Sequence, residues 1–382
     1  MSKGNVIIIG ANEFQNPLIL KAKELGYTTH VFAWQDGSVG ERTADVFYPI
    51  SIVETDQILE QCRKLNPKAV VSIGSDLAAI TVNVLANQLG LPGNPPETAV
   101  IATNKYEMRR AFHAAGIPVP AFCKVSAEDD LSPIRSMRLP IIVKPTDRSG
   151  SRGIMKLTSF DGLAEAVRLS ASVSFEKKAI VEEYIEGEEY SCECISQNGK
   201  HHFLTITRKF TTGAPHFIET GHLQPSGLDE ATCEMVRQQI FKALDALHVT
   251  CGASHSEFKI LPDTGEIRII EIGARMAGDC IGSDLVLHST GMDFVQMTLE
   301  AALGEPLSLQ PVSTPKTAAI RFIFNQKDYQ HYQAVVREHP EHILRTSEID
   351  IKEDVVVSDS STRFGFYILT GGDDTAALAD LN

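Results

Sequence analysis

Glu257 and Glu271 are the pair of side chains from which a chemical reading of this chain starts. "ASHSEFKI" and "EIRIIEIGARMAG" flank the turn signal "PDTG", and an antiparallel hairpin centred near Thr264 sets Glu257 directly across from Glu271. Opposed carboxylates destabilise a hairpin unless something neutralises them. A hard divalent cation such as Mg²⁺ does so, because it prefers carboxylate oxygens together with phosphates. A surface hairpin of chance register and a carboxylate that stays protonated without metal are the alternatives. By the two-residue period of a strand, His255 shares the face of Glu257, and Arg275 follows Glu271 just past the strand end.

A second group of residues suits phosphate. In "VKPTDRSGSRGI", Lys144 closes an apolar strand and a loop with Ser149, Gly150, Ser151 and Gly153 follows it. A P-loop has the reverse order, with lysine after the glycines at a helix start. Lysine first describes a strand–loop–strand flap, whose amides point at phosphate oxygens while Lys144 and an arginine add charge. A mobile hairpin loop has much the same composition. In "VEEYIEGEEYS", a strand ending in Tyr184 and Ile185 offers edge amides and carbonyls that suit an adenine, and a carboxylate further on suits a ribose. A solvated acidic surface is the plainer reading of that segment.

These residues need elements to hold them. From residue 5, strand and helix signals alternate: "NVIIIGA" is a buried parallel strand, "PLILKAKELGY" a helix, "TTHVFAW" and "AVVSIG" strands, and "DLAAITVNVLANQLGLPG" a helix. Repeated β-α units predict a parallel, doubly wound α/β domain over residues 1–103. Its first turn, "GANEFQNP", lacks the glycines of a dinucleotide fingerprint and reads as a β-α turn capped by Asn12, with Pro17 at the helix start. "TNKYEMRRAFHAAGIPVP" opens a new unit: Asn104 and Glu107 make a capping-box-like start, and Gly116 with Pro118 a stop. Lys105 then lies in the first turn, where the macrodipole disfavours a cation unless an anion is near. Short strands, two helices and hairpins predict an α+β domain over 104–304, and 305–382 reads as a small β-rich domain with one helix.

Bulk composition limits the function classes. At 382 residues, 43% hydrophobic and 22% charged, the chain suits a multidomain globular protein. The formal charge is -14, from 49 acidic and 35 basic side chains, with no lysine-arginine block, which argues against nucleic acid and anionic membrane as partners. No apolar run approaches the roughly 18 to 20 residues of a membrane span. Seven scattered cysteines and an opening strand rather than a leader suit a cytoplasmic protein, and Cys192 and Cys194 lack a second ligand pair at zinc spacing.

Taken in order along residues 5 to about 304, these features resemble the ATP-grasp superfamily, and "EIGARMAGD", "SDLAAITVNVLANQLGLPG" and "ETGHLQPSGL" resemble its carboxylate-amine ligases that join amino acids. The resemblance implies a Rossmann-like domain, a two-lobed ATP-grasp domain with a flap lobe over about 104–180 and a hinge and metal lobe over about 181–304, then a closing domain. It implies ATP with Mg²⁺, or Mn²⁺, and small-molecule carboxylate and amine partners; a homodimer is the default assembly. Lys105 and Lys144 look like the phosphate lysines, Glu182 with Glu183, Tyr184 and Ile185 like the adenine hinge, and Glu189 like the ribose carboxylate. Glu257 and Glu271 look like metal ligands, Arg275 like the arginine on the transferred phosphoryl group, and His255 like a further phosphate contact. Gly273 departs from the family pattern, which often has a metal-binding asparagine there; His222 reads as a loop histidine facing the substrate side. The implied activity is ADP-forming ligation through an acyl-phosphate. The alternatives are a ligase or carboxylase of the carbamoyl-phosphate or purine type and a non-catalytic ATP sensor. In 305–382, Arg321, Arg363 and Gly365 are candidates to reach the site without a spacing argument.

Overall fold

The computed structural model describes residues 2–150, 152–352 and 355–381. Strands β1 (Asn5–Ile9), β2 (Thr28–Phe32), β3 (Val46–Tyr48) and β4 (Ala69–Val71) form an all-parallel sheet in the order β3-β2-β1-β4. Val6 to Ile9 are fully buried, as a parallel strand covered on both faces requires. Helices Asn16–Glu24 and Asp76–Leu89 flank it. Asn12 accepts hydrogen bonds from the Phe14 and Gln15 amides ahead of the first helix, which has Pro17 in its first turn.

A second sheet is antiparallel, in the order β5-β8-β6-β7, from β5 (Phe122–Val125), β6 (Ile141–Pro145), β7 (Met155–Leu157) and β8 (Ala179–Glu183). Helix Leu163–Val173 packs on it through Leu163, Ala166 and Val167. The flap is the β6–β7 connection, so Lys144 stands at its base and the glycine loop at its tip.

The third sheet has eight antiparallel strands: β9 (Glu188–Gln197), β10 (Lys200–Thr211), β11 (Glu219–Gln224), β12 (Gly252–Ile260), β13 (Ile267–Gly273), β14 (Thr317–Phe322), β15 (Ile343–Thr346) and β16 (Phe366–Gly371). Its order is β13-β12-β9-β10-β11-β14-β16-β15, so the strands of 305–382 continue the sheet that carries Glu257 and Glu271. Helices Lys105–Ala114 and Glu230–Ala246 pack on it around Phe258, Tyr190 and Cys192, while helix Phe294–Leu303 packs between it and the parallel sheet. The mixed α/β and antiparallel architecture agrees with the sequence reading. "ETGHLQ", read as loop, is strand β11, which pairs with β10 on one side and, through Gly221 to Gln224, with β14 from the far end of the chain on the other. The pairing with β14 has no local signal.

Candidate active site

One cavity of about 420 Å³ is lined by residues of the two antiparallel sheets and of the turn that follows β4, and Lys105, Lys144, Glu189, His255, Glu257, Glu271 and Arg275 all line it. On its wall, Lys105 is the first residue of helix Lys105–Ala114, capped by Asn104, whose side chain accepts from the Tyr106 and Glu107 amides. Its Nζ reaches across to the Arg148 carbonyl at 2.7 Å and Glu271 Oε1 at 3.0 Å. Lys144, buried, lies 2.6 Å from Glu182 Oε2. Burial is the strongest influence on Lys144 and lowers its pKa against the pull of Glu182, with Arg109 and Lys105 adding to the depression.

Glu182 thus has a tertiary role beside its place on the hinge strand. Its other oxygen takes Arg109 Nε at 2.5 Å, and Arg109, 1% exposed, also donates Nη2 to the Ile270 carbonyl at 2.6 Å. Burial opposes the charge of Glu182, but Arg109 and Lys144 outweigh it and bring its pKa down to about 2. Arg109 is one helical turn beyond Lys105, and that spacing was the available signal for it.

Glu257 and Glu271 pair across the hairpin as expected, by an unexpected route. Glu257 is the cross-strand partner of Glu271, but Ile260 pairs with Ile267, so the turn is centred between Asp263 and Thr264. An unbroken ladder would set Glu257 against Ile270. A β-bulge between Glu257 and Phe258 makes Ile270 the extra residue and restores the opposition. The extra residue's carbonyl is the one Arg109 takes. Each carboxylate carries a lysine: Lys105 on Glu271 and Lys209 on Glu257, with Lys209 also 3.3 Å from Glu189. Two hard carboxylates converging on one cavity fit a divalent cation. His255, buried, bonds Glu193 Oε1 at 2.8 Å and Glu257 Oε1 at 3.3 Å. Burial works against its charge, yet Glu193 and Glu257 raise its pKa to about 9.

Arg275 meets a partner that the sequence reading missed. Asp76, in the first turn of helix Asp76–Leu89, receives Nε at 2.7 Å and Nη2 at 3.0 Å. Burial tends to raise the Asp76 pKa, but Arg275 outweighs it and the carboxylate is held below its ordinary range. This pair accounts for Gly273. A Cβ there would stand 3.1 Å from Arg275 Cζ and 3.3 Å from Asp76 Oδ1, so the clamp occupies the space an asparagine would need. The signal for Asp76 was its place in a β-α turn at the carboxyl edge of the parallel sheet.

Flap and hinge complete the cavity. Ser149 and Gly150 line it; Gly150 has φ 72° with open space beside it. Gly153 does not line it. It has φ 69°, and a Cβ would meet Val173 Cγ2 at 2.7 Å, so it is a steric necessity at the flap's return. Ser151 lies outside the described residues. The Glu183 and Tyr184 amides are bonded to the Ala121 and Pro140 carbonyls, while the Ile185 carbonyl accepts Lys259 Nζ at 3.3 Å. The Tyr184 ring lies between Lys156, 3.6 Å from its centroid, and Lys259, at 4.7 Å. Glu189 stands between Lys209 at 3.3 Å and Lys259 at 3.9 Å. Of the closing-segment candidates, Arg363 reaches Asp279 on the cavity wall, Arg321 pairs away from it with Asp328, and Gly365 packs against Glu348.

Residues 137–283 match the model of the ATP-grasp domain family. Alanine–anticapsin ligase of Bacillus subtilis (strain 168) is 25% identical over 327 residues, covering 79% of this chain and 66% of the relative. The chain spans between 48% and 66% of the length of that relative and the next two curated relatives. The crystal structure of an L-amino acid ligase from Bacillus licheniformis superposes with a TM-score of 0.83 at 22% identity, over 100% of this chain and 96% of that one. The N5-carboxyaminoimidazole synthetase of Staphylococcus aureus complexed with ADP gives 0.79 at 16% identity, over 100% and 96%. At these identities the two structures establish the shared fold. Among the described residues, no helix is long and apolar enough to cross a membrane.

Proposed function

We propose that the protein is an ADP-forming carboxylate-amine ligase that joins amino acids through an acyl-phosphate. The observation that carries this is the convergence of Lys105, Lys144, Glu257, Glu271 and the clamped Arg275 on one cavity beneath a glycine flap. The amino-acid ligases among its relatives support the substrate class. A carboxylate attacking the γ-phosphate of ATP is an anion approaching an anion, so the site's first task is charge compensation. Lys144 and Lys105 meet the phosphates at the flap base, and Arg275, oriented by Asp76, steadies the transferred group. Glu257 and Glu271 would hold a divalent cation, which would supply positive charge against that developing on the transferred group. Glu189 and the Tyr184–Ile185 backbone seat the nucleoside, with Lys156 and Lys259 bracing the Tyr184 ring. Closure of the flap keeps water from the acyl-phosphate until an amine attacks it and inorganic phosphate leaves. No side chain serves as nucleophile.

A phosphate-release screen over amino-acid pairs, with mass spectrometry of the products, tests this. The expected result is release that needs two amino acids and yields a product lighter than their sum by one water. Release that needs bicarbonate instead would place the protein with carboxylases.

A further inference from the structure

The wall of the cavity beyond Arg275 holds a cluster with no part in handling phosphate. Glu219 and His222 reach it from β11, and Asp279 from the segment after Arg275. Asp279 and Cys280 have φ 50° and 60°, two consecutive non-glycine residues in the left-handed region. That conformation is unfavourable for residues with a Cβ. One turn of the closing segment grips both carboxylates. Ser360 Oγ donates to Glu219 Oε2 at 2.7 Å, and Arg363 sets its fork on Asp279 at 3.0 and 2.6 Å. Asp359 and Thr362 form a capping box that holds the turn, and Arg363 lies flat over Phe322, 3.5 Å from the ring centroid.

His222 is the second observation. It is 1% exposed and lines the cavity, yet neither ring nitrogen has a hydrogen-bond partner among the described residues. Its nearest ionic neighbour, Asp279 Oδ2, is 3.6 Å away. Burial lowers its pKa, so at neutral pH the ring is uncharged and offers one acceptor nitrogen. Asp279 also keeps free lone pairs beyond the Arg363 fork, and Glu219 Oε1 has only the shared Lys209, at 3.9 Å. The acceptor nitrogen of the ring suits a hydrogen-bond donor, and the two carboxylates beside it suit one that is positively charged.

We infer that Asp279, Glu219 and His222 form a receptor for a cationic nitrogen of the substrate, an ammonium or guanidinium group of an amino acid, held in place by Ser360 and Arg363. The inference rests on the ligase reading of the same cavity. In it, Asp279 and Glu219 touch the substrate, whereas Arg363 is a positioning residue that acts through Asp279.

The test uses the full chain as wild type and as Asp279→Asn, Glu219→Gln and Arg363→Lys. Phosphate release is measured with lysine, arginine, norleucine and alanine as varied substrate, and ATP affinity by calorimetry without amino acid. Asp279→Asn and Glu219→Gln are each expected to raise KM about tenfold or more, with ATP affinity unchanged and Arg363→Lys intermediate. A rise confined to lysine and arginine assigns the nitrogen to the side chain; a rise shared by all four assigns it to the α-amino group, and either supports the receptor. Unchanged KM for every substrate in both variants overturns it, as does a fall in kcat at constant KM accompanied by a lowered Tm. If the wild type releases no phosphate with any substrate, the ligase reading fails. The receptor is then judged by thermal shift with lysine against norleucine in the presence of an unreactive ATP analogue. Stabilisation by either amino acid that Asp279→Asn abolishes supports it, and no stabilisation by either, or stabilisation that Asp279→Asn leaves unchanged, overturns it.

Discussion

Gly273→Asn is the substitution that most sharply separates this protein's site from the usual ATP-grasp pattern. It supplies the ligand the family often has beside the second glutamate, so a reading from pattern alone expects tighter metal binding. The structure predicts the opposite. Gly273 ends strand β13 without a positive φ, so its backbone accepts a side chain, but the new Cβ falls 3.1 Å from Arg275 Cζ and 3.3 Å from Asp76 Oδ1. Two atoms of a bidentate pair at 2.7 and 3.0 Å must therefore give way. Hydrogen bonds to charged groups contribute about 1.5–3 kcal/mol each. The clamp must shift by a fraction of the displacement of about 1 Å that costs about 10²-fold in rate, so steady-state phosphate release should show kcat lowered about tenfold in Gly273→Asn and less in Gly273→Ala. ATP affinity by calorimetry should hold, since Lys144, Tyr184 and Ile185 are untouched. A Gly273→Asn protein with tighter Mg²⁺ dependence and full kcat would refute the clamp as the reason for the glycine.

Four further outcomes follow from the same geometry. Glu182→Gln leaves Lys144 and Arg109 buried without their anion and should cost about 3–5 kcal/mol in urea unfolding. The Glu182 pKa is depressed to about 2, so its stabilisation is full above about 4.5 and fades as pH falls toward 2; the gap between wild type and Glu182→Gln should close over that window. Lys209→Met removes the cation shared by Glu257, Glu189 and Glu219, and a Mg²⁺ titration of activity should show a lower half-saturating concentration together with reduced kcat. Gly153→Ala puts a Cβ 2.7 Å from Val173 at φ 69°, so kcat should fall and the flap should become more protease-sensitive while global Tm changes little.

Much of the scaffold was legible because it obeys local periodicity. The run "NVIIIGA" and the turn "PDTG" state their structures in a few residues, and β1 and the β12–β13 hairpin follow. The Glu257–Glu271 pairing was readable although its premise was half a residue off, since the bulge at Ile270 compensated for the true centre of the turn. What escaped depends on partners far away in the chain. Asp76 is 199 residues from Arg275, Arg109 is 73 from Glu182, and Lys209 is 48 from Glu257. No local pattern ties any of them to its partner. His222 reads as a loop residue from local sequence, yet its stretch is a strand that pairs with β10 on one side and with β14 on the other. The closing segment's Arg363 had no spacing signal, since its role is set by a turn that meets Asp279 in space alone.

The central claim, activation of a carboxylate by phosphoryl transfer in the cavity of Lys144, Glu257, Glu271 and Arg275, is tested most directly by isotope transfer. A substrate amino acid labelled with ¹⁸O in its carboxylate is turned over with ATP and a second amino acid, and the phosphate is analysed by mass spectrometry. The account predicts ADP and one ¹⁸O in each inorganic phosphate released, with neither formed by Glu271→Gln. Unlabelled phosphate, or AMP with pyrophosphate, would contradict it.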